Sequence, residues 1–586
     1  MTLIKQLSKC VREFKLMAII TPIFVSLEVV LECVIPLIIA ELVNEIQHHT
    51  GDDMTHILKY GGILVLMAIL SLTFGALAGV TCAKASCGFG RNLRRDMFYN
   101  IQEYSFENID RFSSSSLVTR ITTDVTNVQN AFMMIIRTAI RAPLMLIFAF
   151  FMSFYMGGSV AVIFVCVIPV LGVGLAFVIR KTFPLFRKVF KKYDNLNNSI
   201  QENVRGMRVV KSFVREDYES KKFSAAAGDV CRDFTKAERI LALNSPLMMF
   251  CMYSVMVFVL TYGSYTVISS RGANLAVGQM SALLTYGFMM LSSLMMLSMI
   301  VVMLTMAGES AKRICEVMSE KSTITSPDKE KAVHTIADGS VRLDGVSFRY
   351  SEKAERPALM NIDLEIKSGE TVGIIGGTGS SKSTLIQLIP RLYDTTEGVV
   401  RVGGVDVRDY DLDTLRQGVA VVLQKNILFS GTVKENLRWG NPDATDEEME
   451  EACCLACASE FIETLPGKYD YYIEQGGANL SGGQKQRMCI ARALLKRPKI
   501  LILDDSTSAV DTRTDASIRQ AMREYIPETT KIIIAQRISS VQDADKIVVL
   551  NGGAINAIGT HDELMKTCDV YREIYISQNK AGDSDE

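Results

Sequence analysis

The sequence predicts an α-helical membrane domain of six transmembrane helices followed by an α/β domain built around a phosphate-binding loop. Three observations carry this. Long apolar stretches crowd the first half of the chain, while the second half has ordinary soluble composition. The connections between the apolar stretches alternate between basic and nearly free of Lys and Arg. From Ser340 the pattern changes to short apolar strands, glycine-containing loops and helices in alternation. At 586 residues the chain is too long for a single domain. A formal net charge of −1 gives no electrostatic reason to expect a nucleic-acid partner.

A bilayer core takes about 20 mainly apolar residues per helix. Residues 16–43, 58–83, 131–155, 158–180, 242–268 and 280–307 meet that requirement. Orientation follows from the basic residues. The connection after the second span carries Lys84, Arg91, Arg94, Arg95, Arg111 and Arg120, and the one after the fourth is denser still, from Lys181 to Lys222. Residues 44–57 and 156–157 contain no Lys or Arg, and 269–279 only Arg271. The basic connections are therefore cytoplasmic, with both termini inside. Lys5, Lys9, Arg12 and Lys15 precede an apolar run too long for a cleaved leader, so that run stays in the membrane.

The two basic connections are long enough for the spans to extend past the bilayer and turn back at short helices, expected near 113–122 and 206–213. The expected organisation is a membrane domain over 1–318, a polar linker over 319–339, an α/β domain over 340–578 and a disordered polar tail over 579–586. Most of the thirteen cysteines are scattered singly. Cys453, Cys454 and Cys457 share a helix but lack a second ligand pair, so reduced thiols are expected. His48, His49 and His56 read as a solvated loop.

Charged residues inside the spans are candidates for function, since each is costly unless paired or hydrated. Glu28 and Glu32 stand one helical turn apart in the first span, as do Arg137 and Arg141 in the third. Depth counting predicts a Glu28–Arg141 ion pair or shared water facing the interior, either structural or in contact with cargo. Met248, Met249, Met252 and Met256, with Met289, Met290, Met295, Met296, Met299 and Met303, enrich the last two spans in adaptable thioethers. Lipid-facing or helix-packing surface accounts for these methionines better than a ligand surface does.

In the second half, a strand-like segment at 371–375 leads into Gly376, Gly377, Thr378, Gly379, Ser380, Ser381, Lys382, Ser383 and Thr384, and then a helix. Glycines let backbone N–H groups curl around phosphate oxygens, and the helix aims its positive end at them. Lys382 would reach the β- and γ-phosphates, and the Ser383 hydroxyl would hold Mg2+. The last loop glycine is replaced by Ser381. An apolar strand at 500–503 ends in Asp504 and Asp505, where Asp504 can serve the same ion. Ser481, Gly482, Gly483 and Gln484 follow Leu480, a second turn able to present a hydroxyl and bare amides at a helix start.

In this order the motifs, with the six spans, resemble the ATP-binding cassette family and its exporter branch over nearly the whole chain. The resemblance implies an α/β P-loop nucleotide-binding domain with ATP and Mg2+ as cofactors. It implies that Tyr350 stacks on adenine, that Gln424 senses Mg2+ and the membrane domain, and that Ser508 to Asp511 cross to a partner cassette. Two cassettes would face head to tail, each ATP lying between one phosphate loop and the other chain's Ser481–Gln484 equivalent. The short helices of the basic connections would couple cassette to membrane domain.

Two positions depart from the family pattern. Asp505 stands where Glu activates the attacking water, and Gln536 where His holds the γ-phosphate. Asp withdraws the carboxylate by one methylene, and Gln cannot carry a proton or positive charge. The sequence is therefore expected to bind ATP but turn it over slowly at its own loop, while its intact signature serves a competent partner site. The likeness is to the degenerate-site subunit of heterodimeric bacterial multidrug exporters. The expected setting is the bacterial plasma membrane, beside a second half-transporter carrying Glu and His, with drug, lipid or peptide as cargo. A slow homodimeric exporter and an ATP-gated, channel-like protein are the alternatives.

Overall fold

In lipid every backbone N–H and C=O has to be satisfied within the segment, so apolar runs of this length become helices. The computed structural model describes residues 2–48, 54–271, 273–351, 354–506 and 510–582. It divides into two compact units, one comprising Met1–Gln102 with Ser113–Glu320, the other Glu103–Phe112 with Lys321–Glu586.

The first unit is helical. By length and composition, five helical runs among the described residues could cross a membrane. One of them, Ser114–Phe186, is interrupted at Gly158, whose φ of +49° ends the helix Thr138–Gly157 before Val162–Arg205 begins. That run therefore carries two spans. The six apolar helices are Lys15–His48, Thr55–Gln102, Thr138–Gly157, Val162–Arg205, Asn244–Ser269 and Val277–Ser319. Thr55–Gln102 has 48 residues, or about 70 Å of helix, against a hydrocarbon core of about 30 Å. Val162–Arg205 and Val277–Ser319, at 44 and 43 residues, likewise exceed the core, whereas Thr138–Gly157, at 20, only matches it.

Val277–Ser319 is central to the packing. Its Leu283, Tyr286, Met290 and Leu291 share a core with Phe164, Leu171, Val255 and Val259. Close approach at its start requires a glycine: a Cβ on Gly278 would lie 2.0 Å from the Ala40 carbonyl, and the Gly278 amide donates to Asn44 Oδ1 at 2.8 Å. Further along, Arg313 Nε and Nη2 grip buried Asp124 at 2.7 and 2.5 Å, and Ser310 Oγ donates to the same carboxylate at 2.8 Å. Of the methionines, Met290 is buried, whereas Met249, Met256, Met295, Met296, Met299 and Met303 are exposed on the single chain.

The short helix expected at 206–213 is present as Met207–Ser212. The other turning point differs from expectation. The turning helix is Phe106–Phe112, and Ser113, at φ +57°, caps the Ser114–Thr119 helix that leads into the next long segment. The reversal thus falls ahead of 113–122, and its ten residues Glu103–Phe112 group with the second unit.

The second unit holds two main sheets. A four-stranded antiparallel sheet runs in the order Leu359–Ile366, Val341–Phe348, Glu397–Val402, Val405–Asp406. A six-stranded sheet runs Ala554–Gly559, Lys546–Asn551, Thr371–Gly376, Thr530–Ile534, Ile500–Asp504, Val419–Val422. Only its Ala554–Gly559 edge is antiparallel. Register places Ile374 beside Ile534 and Ile534 beside Asp504, so three parallel strands end together. Loops beyond the carboxyl ends of such strands are where open α/β sheets place ligands. The chain's final helix, Asp569–Gly582, continues past residue 578, where a disordered tail was expected, and residues 583–586 lie outside the described part.

Candidate nucleotide site

The phosphate loop begins where the strand Thr371–Gly376 leaves the sheet. A Cβ on Gly376 would sit 2.2 Å from the Leu550 carbonyl, so the chain can pass only as glycine. Gly377, Thr378 and Gly379 form the exposed crest, and Ser380 turns back into the protein. Ser381 adopts φ +67° and ψ 26° at the start of the helix Lys382–Leu388. This left-handed conformation costs an L-residue about 1–2 kcal/mol, a cost a glycine escapes. The sequence departure at this position is therefore a strained one.

Lys382 Nζ folds over the loop, donating to the carbonyls of Gly376 and Gly377 at 2.8 and 3.0 Å and to Ser380 Oγ at 3.3 Å. Burial pushes its pKa below the ordinary lysine value, against the opposing charges of Asp505 and Asp504. Ser383 Oγ donates to Asp504 Oδ1 at 3.0 Å. Burial holds the Asp504 carboxyl above the usual range, with the Asp505 charge adding and the Ser383 bond opposing. A hydroxyl and a buried carboxylate at adjoining positions form a donor set suited to a hard cation such as Mg2+, which would offset that burial cost. Thr384 lies buried on the same helix.

Asp505 is buried and also has a positive φ, +49°. Its Oδ2 accepts from Gln536 Nε2 at 2.9 Å and from Gln424 Nε2 at 3.4 Å. Burial raises its pKa, and those two bonds act against the rise. Asp505 and Gln536, the two positions expected to depart from the family pattern, are therefore in direct contact, with Gln424 beside them.

Tyr350 is half-exposed at 49%. Its hydroxyl shares a hydrogen bond with Thr384 Oγ1 at 2.9 Å. The ring stands edge-on to Phe348 and Tyr393, at 4.9 and 5.3 Å. The Tyr393 hydroxyl donates to Asp110 Oδ2 at 2.6 Å, and its ring faces Phe106 at 6.0 Å. Sequence reasoning missed this link to Glu103–Phe112, because nothing in the spacing connects positions so far apart.

Ser481 opens a different helix, Gly482–Leu495, through a capping box: its Oγ accepts from the Gln484 amide at 3.3 Å, and its own amide donates to Gln484 Oε1 at 2.9 Å. Ser481 and Gly482 face solvent, with Gly483 and Gln484 partly exposed. Of the crossing loop, Asp511 caps the helix Thr512–Tyr525, while Ser508 and Ala509 lie outside the described residues.

In the membrane unit, Arg141 bridges both glutamates. Nη1 meets Glu28 Oε1 at 2.5 Å, and Nη2 meets both Glu32 oxygens at 2.8 Å. Arg137 does not join this cluster: it marks a break between helices (φ −116°, ψ −67°), and its guanidinium lies near Gly79. Glu32 and Arg141 border a cavity of about 450 Å³ with Met145, Phe288, Met289 and Met296.

Comparison with known proteins gives two family matches. The family described as ABC transporter transmembrane region matches residues 18–304, and the one described as ABC transporter matches 359–508. An uncharacterized ABC transporter ATP-binding protein of Bacillus subtilis, YfiB, is 36% identical over 570 residues, covering 97% of each chain. An ATP-dependent lipid A-core flippase of Aromatoleum aromaticum is 32% identical over 521 residues, covering 88% of this chain and 84% of that protein. Among solved structures, a bacterial Atm1-family ABC exporter with ATP bound shares the fold, with a TM-score of 0.81 over 97% of this chain and 98% of that one, at 23% identity.

Proposed function

This chain belongs to the ABC transporter family, an exporter half with membrane domain and cassette in one polypeptide, and from that premise we propose that its own ATP site is the slow one of an asymmetric pair. The observation carrying this reading is the Gln536–Asp505 contact at 2.9 Å. The carboxylate after Asp504 is one methylene short and accepts hydrogen bonds from two amides, which leaves it poorly disposed to take a proton from water. Gln536 offers a hydrogen-bond donor but no charge to the γ-phosphate.

The remaining parts suit ATP binding. The loop amides around Gly376–Gly379, the Lys382 ammonium and the helix start provide positive potential for phosphates. Ser383 and Asp504 would hold Mg2+, which neutralises phosphate charge when bound, and Gln424 reaches the adjoining Asp505. Tyr350 presents a half-exposed ring for adenine. Ser481 and Gly482 are displayed to solvent, with Gly483 and Gln484 partly so, available to complete a partner's pocket. The partner is a second ABC half-transporter with Glu and His at the positions of Asp505 and Gln536. Binding of ATP closes the pair and turns the cavity outward, and hydrolysis at the partner's loop resets it.

Cargo is proposed as amphiphilic or hydrophobic: drug, lipid or peptide. The Glu32–Arg141 edge of a cavity whose other walls are mainly apolar, with Ile35, Ile39, Met289 and Phe288 among them, supports that choice; Glu28 backs Arg141, and Arg137 stands outside the cluster. A bacterial plasma membrane is the proposed setting, supported by bacterial relatives and by the basic connections.

The test is ATP turnover by the purified chain in lipid nanodiscs, alone and with whatever half-transporter co-purifies. Alone, about 0.1 s−1 or less is expected, a loss of about 10² for a misplaced group from a typical ~10 s−1. Turnover near that typical rate by the chain alone would refute the division of labour.

A further inference from the structure

Gln536 is held from behind. The loop after the strand Thr530–Ile534 is bracketed by one side chain of the final helix, Gln578. Its Nε2 donates to the Gln536 carbonyl at 2.7 Å, and the Ile538 amide donates to its Oε1 at 2.9 Å. The helix that carries Gln578, Asp569–Gly582, is seated in turn: Tyr571 is fully buried, and its hydroxyl meets His561 Nδ1 at 2.8 Å. His561 also contacts the Tyr575 ring at 5.3 Å.

Two bonds to backbone groups two residues apart restrain the chain from 536 to 538, and with it the direction in which the Gln536 side chain leaves. That side chain donates to Asp505 Oδ2, which also accepts from Gln424. A string of polar groups therefore runs from the last helix through Gln536 and Asp505 to the loop after Val419–Val422. Glutamine has one more side-chain torsion than histidine, so aiming its amide depends more on a fixed backbone.

We propose that Gln578 is a positioning residue for the nucleotide site: it holds the Gln536 backbone so that the amide points at Asp505 and the γ-phosphate, making the final helix part of ATP recognition. This rests on reading position 536 as the γ-phosphate sensor. Gln578→Ala, Gln536→Ala and the double variant are compared in the full chain in nanodiscs, with Glu573→Ala as a control on an exposed position of the same helix. Deuterium uptake is followed at residues 536–540, and the preference for MgATP over MgADP is measured by competition with a fluorescent nucleotide.

Gln578→Ala should speed exchange at 536–540 and lower the ATP preference roughly two- to twelvefold, the range for one net hydrogen bond. The double variant should lose no more than Gln536→Ala alone, because one residue acts through the other. Restoring the amide as Gln578→Asn, one methylene shorter, should recover little, and Glu573→Ala should change neither readout. Unchanged exchange, losses that add, or an equal effect of Glu573→Ala would overturn the proposal. If Gln536→Ala keeps the full ATP preference while exchange in Gln578→Ala still rises, the sensor reading itself fails and the role of Gln578 with it.

Discussion

Restoring Asp505→Glu and Gln536→His should return hydrolysis to this chain's own phosphate loop, and the pair should act as a unit. Asp505 is short by one C–C bond, about 1.5 Å. A misplacement of about 1 Å costs about 10² in rate, and a well-placed general base contributes about 10²–10⁴. Lengthening Asp505 alone is worth less than this. Its carboxylate now accepts from Gln536 Nε2 at 2.9 Å, and a longer side chain has to push past an amide with no charge to give the γ-phosphate. Groups in contact couple by about 0.5–3 kcal/mol, or roughly 2- to 150-fold. The single changes should each recover about tenfold or less, and the double about 10² or more. The assay is vanadate-dependent trapping of photoreactive 8-azido-ATP on this polypeptide, which reports hydrolysis at its own loop whatever the partner's site does. Full recovery from either single change, or none from the double, would refute the coupled-pair account.

Other expectations follow from the same geometry. Arg141→Met strands the Glu28 and Glu32 carboxylates, whose side chains are only 9% and 23% exposed; it should cost about 3–5 kcal/mol, read as thermal unfolding in nanodiscs and recovered by adding Glu28→Gln and Glu32→Gln. An Arg141→Met protein as stable as the parent would show that the cluster is well hydrated. Ser381→Gly relieves about 1–2 kcal/mol of left-handed backbone less about 0.5–1 for glycine's chain freedom; a Tm rise, with MgATP binding at least as tight, is expected. Burial raises the Asp504 and Asp505 carboxyls in the folded chain. Without nucleotide, their contribution to stability should therefore fall as pH rises from the ordinary carboxylate value through the raised ones. Asp504→Asn should stabilise the chain at neutral pH, flatten that part of the pH profile in thermal scans and remove the extra protection Mg2+ gives with ATP.

The spans were legible because length and apolarity decide them, and the strand–loop–helix around Gly376–Ser383 because its local run of residues needs no distant partner to be recognised. Pairing was less legible. The helical spacing that joins Glu28 to Glu32 holds, but the same spacing for Arg137 and Arg141 assumes an unbroken helix, and the break at Arg137 turns its side chain toward Gly79. The turning helix Phe106–Phe112 was misplaced because its mixture of aromatic and charged residues has no clear period, whereas the serine cluster after it reads as a turn. There Ser113 caps a new helix instead. Gln578 was invisible for a different reason: its partners are a carbonyl and an amide, and backbone atoms leave no trace in residue type.

The ten residues Glu103–Phe112 make the cassette discontinuous along the chain. Ser105 Oγ meets Thr323 Oγ1 at 2.8 Å, Asn108 Nδ2 donates to the Lys321 carbonyl at 3.3 Å, and Asp110 receives the Tyr393 hydroxyl. A single cut before Lys321 would consequently release a soluble fragment with a plug missing. Phe106 would be stripped from Tyr393, next door to the ring of Tyr350, and the wound would lie against the proposed adenine seat. Nucleotide affinities measured on such a fragment would understate those of the intact polypeptide, and supplying the excised decapeptide in trans should repair part of the difference.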